Sequence, residues 1–285
     1  MANEATSSVL SELYSNVVQA ALYTLNEQTV IRPLVRNYDM SGTPGLTAQV
    51  PIYPAIAAAG VADGTDLSNT AFNTTSQTIT AAEVGVMVEL TDLAAESATD
   101  DVAAAIGRQI GAAMAEKVDT DLAANFANFS NAINKAGAAV TVEDIFKAAA
   151  TLRANKANQN GAFVAVLHPY QTYDLKAQLT NNGATMSHAL SDVGNAALLD
   201  GFVGRIAGVD IFESTVISGD SAGAFAGAVM TQDALGYMVK RSMRIETERN
   251  ASKRSLEIVG SMAYGTAELF DAYGVTILSD STALV

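Results

Sequence analysis

The sequence contains no cysteine and no tryptophan, and only two histidines and five prolines occur among its 285 residues. Without cysteine the chain can form neither a disulfide framework nor a thiolate metal site, so packing and partners must hold the fold. No segment approaches the roughly 20 consecutive apolar residues that a membrane-spanning helix needs. No basic start followed by an apolar run indicates a signal peptide. We therefore expect a protein that is made in a cytoplasm-like compartment and has no membrane partner.

Acidic residues outnumber basic ones by 30 to 16, which gives a formal net charge of −14. A surface this acidic repels DNA, itself a polyanion, so the surface as a whole is not expected to bind nucleic acid. Residues 236–285 contain six basic and six acidic residues, so the rest of the chain carries the whole net charge. The simplest interpretation is a solvated acidic surface. The alternative is charge complementarity between copies of one subunit.

The strongest periodic pattern in the sequence predicts one long helix that begins near Asp100 and ends near Phe129 or Ile133. Apolar residues recur there at every fourth position: Val102, Ile106, Ile110, Met114, Val118, Leu122 and Phe126. A steady spacing of four makes the apolar stripe drift around the helix, which favours a helix lying across a sheet over a coiled coil. Gly107 and Gly111 keep a neighbouring stripe small, so another element can approach the helix closely.

Two segments with alternating apolar residues predict strands at Leu46–Ile52 and Val84–Leu90. The residues between them are rich in Ala, Gly, Asp, Asn and Thr, and a connection this long is unusual within a compact domain. We interpret the region as a long two-stranded ribbon with a wide tip. An isolated hairpin is at best marginally stable in water, so such a ribbon needs another surface to lie on.

The remaining patterns complete an α+β class, because helices and strands mix without regular βαβ alternation. Residues 8–25 predict an amphipathic helix, and a break follows the long helix at Lys135–Ala139. Thr141 to Asp144 resembles a capping box that opens a second helix. Further predicted elements are strands at Phe163–Leu167, Val203–Ile206, Val209–Phe212 and Phe225–Met230, a helix at Tyr170–Leu179, a loop at Asn181–Asn195, a hairpin from Tyr237 with its turn at Asn250–Ser252, and a final strand at Gly274–Leu278.

No motif in the sequence supports catalysis, a cofactor or a metal. Gly219 to Gly223 matches the G-x-S-x-G pattern around Ser221, but that motif needs a following helix and a later histidine. Both histidines, His168 and His188, precede Ser221, and a strand-like segment follows it. A plain turn is therefore the preferred interpretation. His168 is interpreted as a structural histidine, and His188 has no metal-ligand spacing to any partner.

The order of elements resembles that of the major capsid protein of tailed double-stranded-DNA bacteriophages: an N-terminal arm, a ribbon, a long helix, a mixed domain and a charged hairpin. Local residues agree with this order. Phe163–Pro169 resembles the strand and turn of the family's axial domain, and Gly204–Val209 resembles the strand after its axial loop. Ile245–Arg249 and Tyr264-Gly265 resemble the peripheral-domain hairpin and its return.

The resemblance implies the phage capsid fold, shared with encapsulins, and a structural protein rather than an enzyme. The implied parts are an N-terminal arm at 1–40, an E-loop at 41–90, a peripheral domain with the spine helix at 91–136 and 233–267, and an axial domain at 137–232 and 268–285. Such subunits form hexamers and pentamers that close into an icosahedral shell around double-stranded DNA, assembled in the host cytoplasm. Scaffolding, portal and decoration proteins are the implied partners, and acidic inner walls would keep packaged DNA from adhering.

Two further expectations follow from the resemblance. Some family members cross-link their subunits through an E-loop lysine, but the first lysine of this chain is Lys117, so no such cross-link is expected. Candidate inter-subunit contacts are polar residues on elements without an obvious partner in the chain: Arg32, Arg36, Asp63, Asp66, Arg241, Arg244, Glu246 and Arg249. The competing classes are an encapsulin-type compartment that encloses a cargo enzyme and a flagellin-like or surface-layer protein.

Overall fold

The computed structural model describes residues 18–53, 56–97, 102–157, 162–182, 204–219 and 223–281, leaving out positions 20, 26, 27, 57, 62, 65, 67, 68 and 70. Its helices are α1 (Asp92–Ser97), α2 (Val102–Ala123), α3 (Val142–Ala154) and α4 (Pro169–Asn182). Its strands are β1 (Arg36–Asp39), β2 (Thr47–Ile52), β3 (Thr75–Thr80), β4 (Ala82–Thr91), β5 (Ala132–Ala139), β6 (Phe163–Leu167), β7 (Arg205–Ile206), β8 (Val209–Glu213), β9 (Phe225–Met230), β10 (Leu235–Asn250), β11 (Ser255–Glu268) and β12 (Gly274–Asp280). Within the described helices, none is long and apolar enough to span a membrane.

The strands form three sheets. A four-stranded sheet has the order β1-β10-β11-β4, a six-stranded sheet has the order β5-β12-β9-β6-β8-β7, and β2 pairs only with β3 in a two-stranded ribbon. The four-stranded sheet is built on the long β10–β11 hairpin, to which β4 adds antiparallel and β1 adds parallel. The mixture of parallel and antiparallel strand pairs, together with the helices, confirms the predicted α+β class.

The long helix predicted from the fourfold spacing is confirmed as α2, and it lies across the four-stranded sheet. Ile110, Met114, Val118 and Leu122 are buried against the sheet, and the 3-10 turn Ala124–Asn128 carries the stripe on to buried Phe126. Close packing depends on Gly260 of β11, where a Cβ would lie 2.5 Å from the Ile110 side chain.

Gly111 lets another element approach α2 closely, as its position in the sequence predicted. The described residues 18, 19, 21–25 and 28 are helical and cross α2 at this point, where a Cβ on Gly111 would lie 2.4 Å from the carbonyl oxygen of Ala21. Ala21 and Leu25 are buried there. The rest of the predicted helix at 8–25 lies outside the described residues, as do the capping positions before Val102.

A second core lies between the six-stranded sheet and α3. The predicted capping box is confirmed at the start of α3, where Asp144 accepts from the Thr141 N–H at 2.9 Å. Ile145 and Leu152 of α3 are fully buried against the sheet, whose core strands include β6 and β12. β12 occupies an inner position in this sheet, paired parallel with β5 and antiparallel with β9.

Three sequence-based predictions are wrong in detail. The first is the pairing within the ribbon, because the partner of β2 is the polar strand β3, whereas β4 belongs to the four-stranded sheet. The second is the break at Lys135–Ala139, which is part of β5 because it pairs with β12. The third is Ile133 as an end of the long helix, since it also lies in β5. Of the predicted loop at 181–195, Asn181 and Asn182 are the last residues of α4, and the rest lies outside the described residues.

Candidate assembly surfaces

The root of the β2–β3 ribbon packs on the body through a buried side chain of β3. Ile79 of β3 is fully buried, and it sits in a notch formed by Gly236 of β10 and Gly265 of β11. A Cβ on Gly236 would lie 2.9 Å from the Ile79 side chain, and one on Gly265 would lie 2.4 Å from the Thr80 carbonyl oxygen. The two glycines therefore set how closely, and at what angle, the ribbon leaves the sheet.

Two basic residues of β10 hold the segments on either side of the ribbon. The Lys240 ammonium donates to the carbonyl oxygens of Met40 and Thr43 in the turn before β2. The Arg241 guanidinium pairs with the Glu83 carboxylate at the start of β4. Because Lys240 and Arg241 are adjacent on β10, the segment before β2 and the start of β4 are both bound to the same part of that strand.

The ribbon tip exposes several large apolar side chains. The Tyr53 and Phe72 rings stack across the base of the tip with centroids 6.0 Å apart, although both are about half exposed. Ile56 and Val61 are exposed as well. Asp63 and Asp66 lie exposed at the tip, and no cluster of metal-binding side chains occurs in the described part of the chain. Exposed apolar patches are typical of surfaces that contact a partner.

The far end of the β10–β11 hairpin is a surface of paired charges. Arg249 binds Asp92 through two nitrogens, the longer contact measuring 2.7 Å, and this partner lowers the pKa of the Asp92 carboxyl. Glu89 of β4 accepts from the Ser255 hydroxyl at 2.6 Å and from Lys253 at 3.3 Å. These contacts join the hairpin end to β4 and α1.

A buried carboxylate holds the segment that leads into β1. Asp119 of α2 is only 2% exposed and accepts from the backbone N–H groups of Val30 at 2.6 Å, Ile31 at 3.2 Å and Arg32 at 3.4 Å. Burial raises the pKa of the Asp119 carboxyl in spite of these hydrogen bonds and of the nearby Arg32 guanidinium. The carboxylate thus fixes the path of the chain between the N-terminal helical residues and the sheet.

A second carboxylate of α2 fixes the helix to β11. The buried Tyr264 hydroxyl donates to Asp121 at 2.6 Å, and Lys117 pairs with the other oxygen of Asp121 at 2.6 Å. The pKa of Tyr264 is raised, mainly by burial and secondly by the hydrogen bond to Asp121.

The arginines proposed as contact residues all have partners within the chain. Arg32 lies over the Tyr237 ring at 5.2 Å and Arg36 pairs with Asp233 at 2.7 Å. Arg241 and Arg249 pair as described, and Arg244 pairs with Glu246 at 2.7 Å on the same strand. The premise that these elements lack an intramolecular partner is wrong, because β1 and β4 flank the β10–β11 hairpin. The sequence alone did not show this arrangement. Their role between subunits stays a prediction, since most of these side chains remain half exposed.

The surroundings of the excluded catalytic motif agree with a structural interpretation. The strand β9 follows Gly219, which forms a bridge with Phe225, so the helix that the hydrolase motif requires is absent at these described positions. The His168 ring stacks on the Phe225 ring at 4.0 Å, and its Nδ1 accepts from the Tyr170 N–H at 3.2 Å. Burial lowers the pKa of His168. Ser221 and His188 lie outside the described residues.

Comparison with known proteins gives a consistent result. A family model described as phage capsid protein matches residues 74–278. Among solved structures, the capsid of cyanophage P-SCSP1u is 20% identical, with 89% of each chain covered and a TM-score of 0.71. A structure of Mycobacterium phage Che8 is 20% identical, with 87% of this chain and 90% of that chain covered and a TM-score of 0.69. The head structure of Helicobacter pylori bacteriophage KHP40 is 14% identical, with coverage of 86% and 88% and a TM-score of 0.67. No curated protein matches the chain.

Proposed function

The chain belongs to the phage capsid protein family and is a structural subunit of a virion shell, and from this premise we propose that hexamers and pentamers of the chain close into an icosahedral shell around double-stranded DNA. The observation that carries the proposal is the ribbon. Its root is fixed in the notch of Gly236 and Gly265, while its tip exposes Tyr53 and Phe72 beyond the body. An arm built in this way reaches a neighbouring subunit, and a repeating set of such contacts closes a shell.

The domain assignment is part of the proposal. The four-stranded sheet with α2 corresponds to the peripheral domain, and the six-stranded sheet with α3 and α4 corresponds to the axial domain. β5 pairs with β12 of the six-stranded sheet, which favours a boundary near residue 131 instead of residue 136.

The charge of the chain supports packaged DNA without adhesion to the wall. A net charge of −14 repels a polyanion, so subunits should not bind duplex DNA at moderate salt. Strong binding of duplex DNA by purified subunits would contradict this part of the proposal. Scaffolding, portal and decoration proteins are further proposed partners, and assembly in the host cytoplasm is the proposed site.

Negative-stain electron microscopy of the purified protein, together with its sedimentation profile, tests the proposal. Closed shells or ring-shaped capsomers are the expected result. The matched variants are Tyr53→Ser with Phe72→Ser, which remove the apolar tip, and Phe146→Ser on α3, which removes an equally exposed aromatic ring outside the ribbon. Loss of shells in the first pair alone supports the ribbon as the contact. A stable monomer from the wild-type protein, even with a scaffolding protein present, would contradict the proposal.

The molecules enclosed by the shell distinguish a phage capsid from an encapsulin-type compartment. Nucleic acid extracted from shells isolated from infected cells supports the capsid, whereas a packaged enzyme would favour an encapsulin-type compartment. The ion pairs of Arg241, Arg244 and Arg249 and the exposed Asp63 and Asp66 remain proposed inter-subunit contacts.

A further inference from the structure

The outer edge of β4 lacks most of the features that normally prevent a free strand from pairing. β4 is ten residues long, and its register with β11 is continuous, without a bulge, from Ala82 to Thr91. Natural edge strands avoid pairing by being short, by carrying lysine or proline, or by bulging. β4 contains neither lysine nor proline. No hydrogen bond joins its outer edge to another strand among the described residues.

The other edges of the four-stranded and six-stranded sheets are protected. β1, at the opposite edge of the same sheet, has four residues and carries Arg36 and Asp39. In the six-stranded sheet, β7 has two residues, and β5 carries Lys135 and has a register irregularity against β12. Within these two larger sheets the unprotected edge is therefore confined to β4.

Both faces of β4 are suited to continuing the sheet. On the face toward α2, the apolar residues Val84, Val86, Val88 and Leu90 are only partly buried, so a further strand would complete their burial. On the other face Met87 is 60% exposed. The acidic residues of that face, Glu83 and Glu89, are neutralised by Arg241 and Lys253 of the hairpin.

The sequence of β4 is complementary to itself in one antiparallel register. With Met87 placed opposite Met87 of a second copy, Val86 faces Val88 and Val84 faces Leu90, so every apolar residue of the inner face meets another. Such directly opposed side chains stabilise a sheet.

The charges agree with the same register. Glu83 then faces Thr91 and Glu89 faces Gly85, so no two carboxylates are opposed. Like charges placed directly opposite would be destabilising. The arrangement has a two-fold axis normal to the sheet, which is the symmetry of a contact in which both subunits use the same surface.

Resting on the shell function proposed above, we infer that the occupant of this edge is β4 of a second subunit, paired antiparallel about Met87. The contact joins two four-stranded sheets into one eight-stranded sheet across a two-fold axis of the shell. It is separate from the ribbon contact, because the ribbon leaves the sheet at β3 and its tip lies beyond residue 53.

Because the chain has no cysteine, a single introduced cysteine tests the register. Directly opposed Cβ atoms lie about 4.5–5.5 Å apart, within reach of a disulfide or a short bismaleimide. Shells of Met87→Cys should therefore yield covalent dimers on oxidation or cross-linking. Thr91→Cys is the matched control on the same strand, since two copies of residue 91 would be about 26 Å apart at 3.3 Å per residue. About tenfold more dimer from Met87→Cys than from Thr91→Cys is expected at these separations.

A mixture of Glu83→Cys and Thr91→Cys subunits should give a cross-link that neither variant gives alone. Closed shells without the Met87→Cys dimer would overturn the pairing and leave the shell function intact. Wild-type protein that never forms shells would overturn the proposed function on which the pairing rests.

A second pair of variants does not depend on the cysteine chemistry. Met87→Lys places two positive charges opposite each other, whereas Met87→Leu keeps the contact apolar. Because the side chain is exposed in the subunit, both variants should melt at the wild-type temperature, and only Met87→Lys should lose assembly. Equal assembly of the two variants would overturn the inference.

Discussion

Replacing Asp119 by alanine should release the segment before β1 and destabilise the subunit by about 3 kcal/mol. The carboxylate is the acceptor for three backbone N–H groups, at distances from 2.6 to 3.4 Å. A buried donor left without an acceptor costs about 1–3 kcal/mol. The Ile31 N–H bears the full cost because Ile31 is completely buried. Those of Val30 and Arg32 are partly reached by water, which lowers their share.

Urea unfolding of unassembled subunits measures this loss, and limited proteolysis between residues 28 and 35 shows whether the opening is local. Asp119→Asn is the matched control, because its amide oxygen keeps one acceptor and should retain about half of the stability lost in the alanine variant. A loss below about 1 kcal/mol in Asp119→Ala would refute the reasoning, since it would mean that the N–H groups find other partners.

The pH dependence of the same pair of proteins gives an independent check. Burial raises the pKa of Asp119 in the folded state. The folded protein therefore holds this proton more tightly than the unfolded chain, and stability from this group is present at low pH and is lost as pH rises through the raised pKa. Asparagine does not titrate, so the stability advantage of the wild type over Asp119→Asn should shrink as pH rises from about 4. An advantage that grows with pH would contradict the assignment.

Three further outcomes are expected. Gly265→Ala should destabilise the subunit by about 1–3 kcal/mol through overpacking against the ribbon root and reduce shell yield, whereas Gly60→Ala, which meets no atom within 4 Å, should match the wild type in urea unfolding and electron microscopy. Tyr264→Phe should lower the free energy of unfolding by about 1.5–3 kcal/mol through loss of a hydrogen bond to a charged group. Because the pKa of Tyr264 is raised in the folded state, the wild-type protein should lose stability above about pH 10, the ordinary tyrosine pKa, and the variant should lose less. An equal loss of stability in both proteins would show that Tyr264 does not cause it. Arg249→Ala and Asp92→Ala each remove an exposed ion pair and should leave the melting temperature of the subunit unchanged. A fall in shell yield at an unchanged melting temperature would assign Arg249 to a contact between subunits. A fall in melting temperature would instead show that the ion pair stabilises the subunit itself.

The helix α2 was predictable because one uninterrupted apolar stripe specifies both its period and its buried face. The capping box at Thr141 was predictable for a similar reason, since its signal lies within four adjacent residues. The strands β10 and β11 were recognisable from the alternation of buried Met243 and Ile245 with exposed residues. In each case the information is local in the sequence.

The pairing of strands was less predictable because alternation identifies a strand without identifying its partner. β3 has the sequence TSQTIT, in which only Ile79 is buried, so it lacks the apolar alternation that reveals a strand. β1 is short and β5 is rich in alanine and contains a glycine, so neither gave a signal. The shell function followed from the order of elements and was confirmed by the family match, whereas the surfaces depend on which strands are neighbours.

Asp119 is a buried anchoring residue that the sequence analysis missed, although a signal was present. It lies one residue after Val118 and three before Leu122, on the side of α2 that also buries Ala115. An acidic residue within an apolar stripe needs an internal partner, because an unpaired buried charge is costly. What the sequence could not supply was the partner, which comes from backbone groups almost 90 positions earlier in the chain.

Because β12 has an inner position in the six-stranded sheet, this sheet can be completed only after residues 274–280 have been synthesised. A nascent chain that has reached residue 273 already contains the ribbon, the long helix and both strands of the hairpin, yet the sheet still has a gap between β5 and β9. Until the ribosome has released residues 274–280, β5 has no neighbour and the core against α3 is open. A chain that stops before residue 274 therefore cannot complete the six-stranded sheet, because β5 and β9 are joined only through β12.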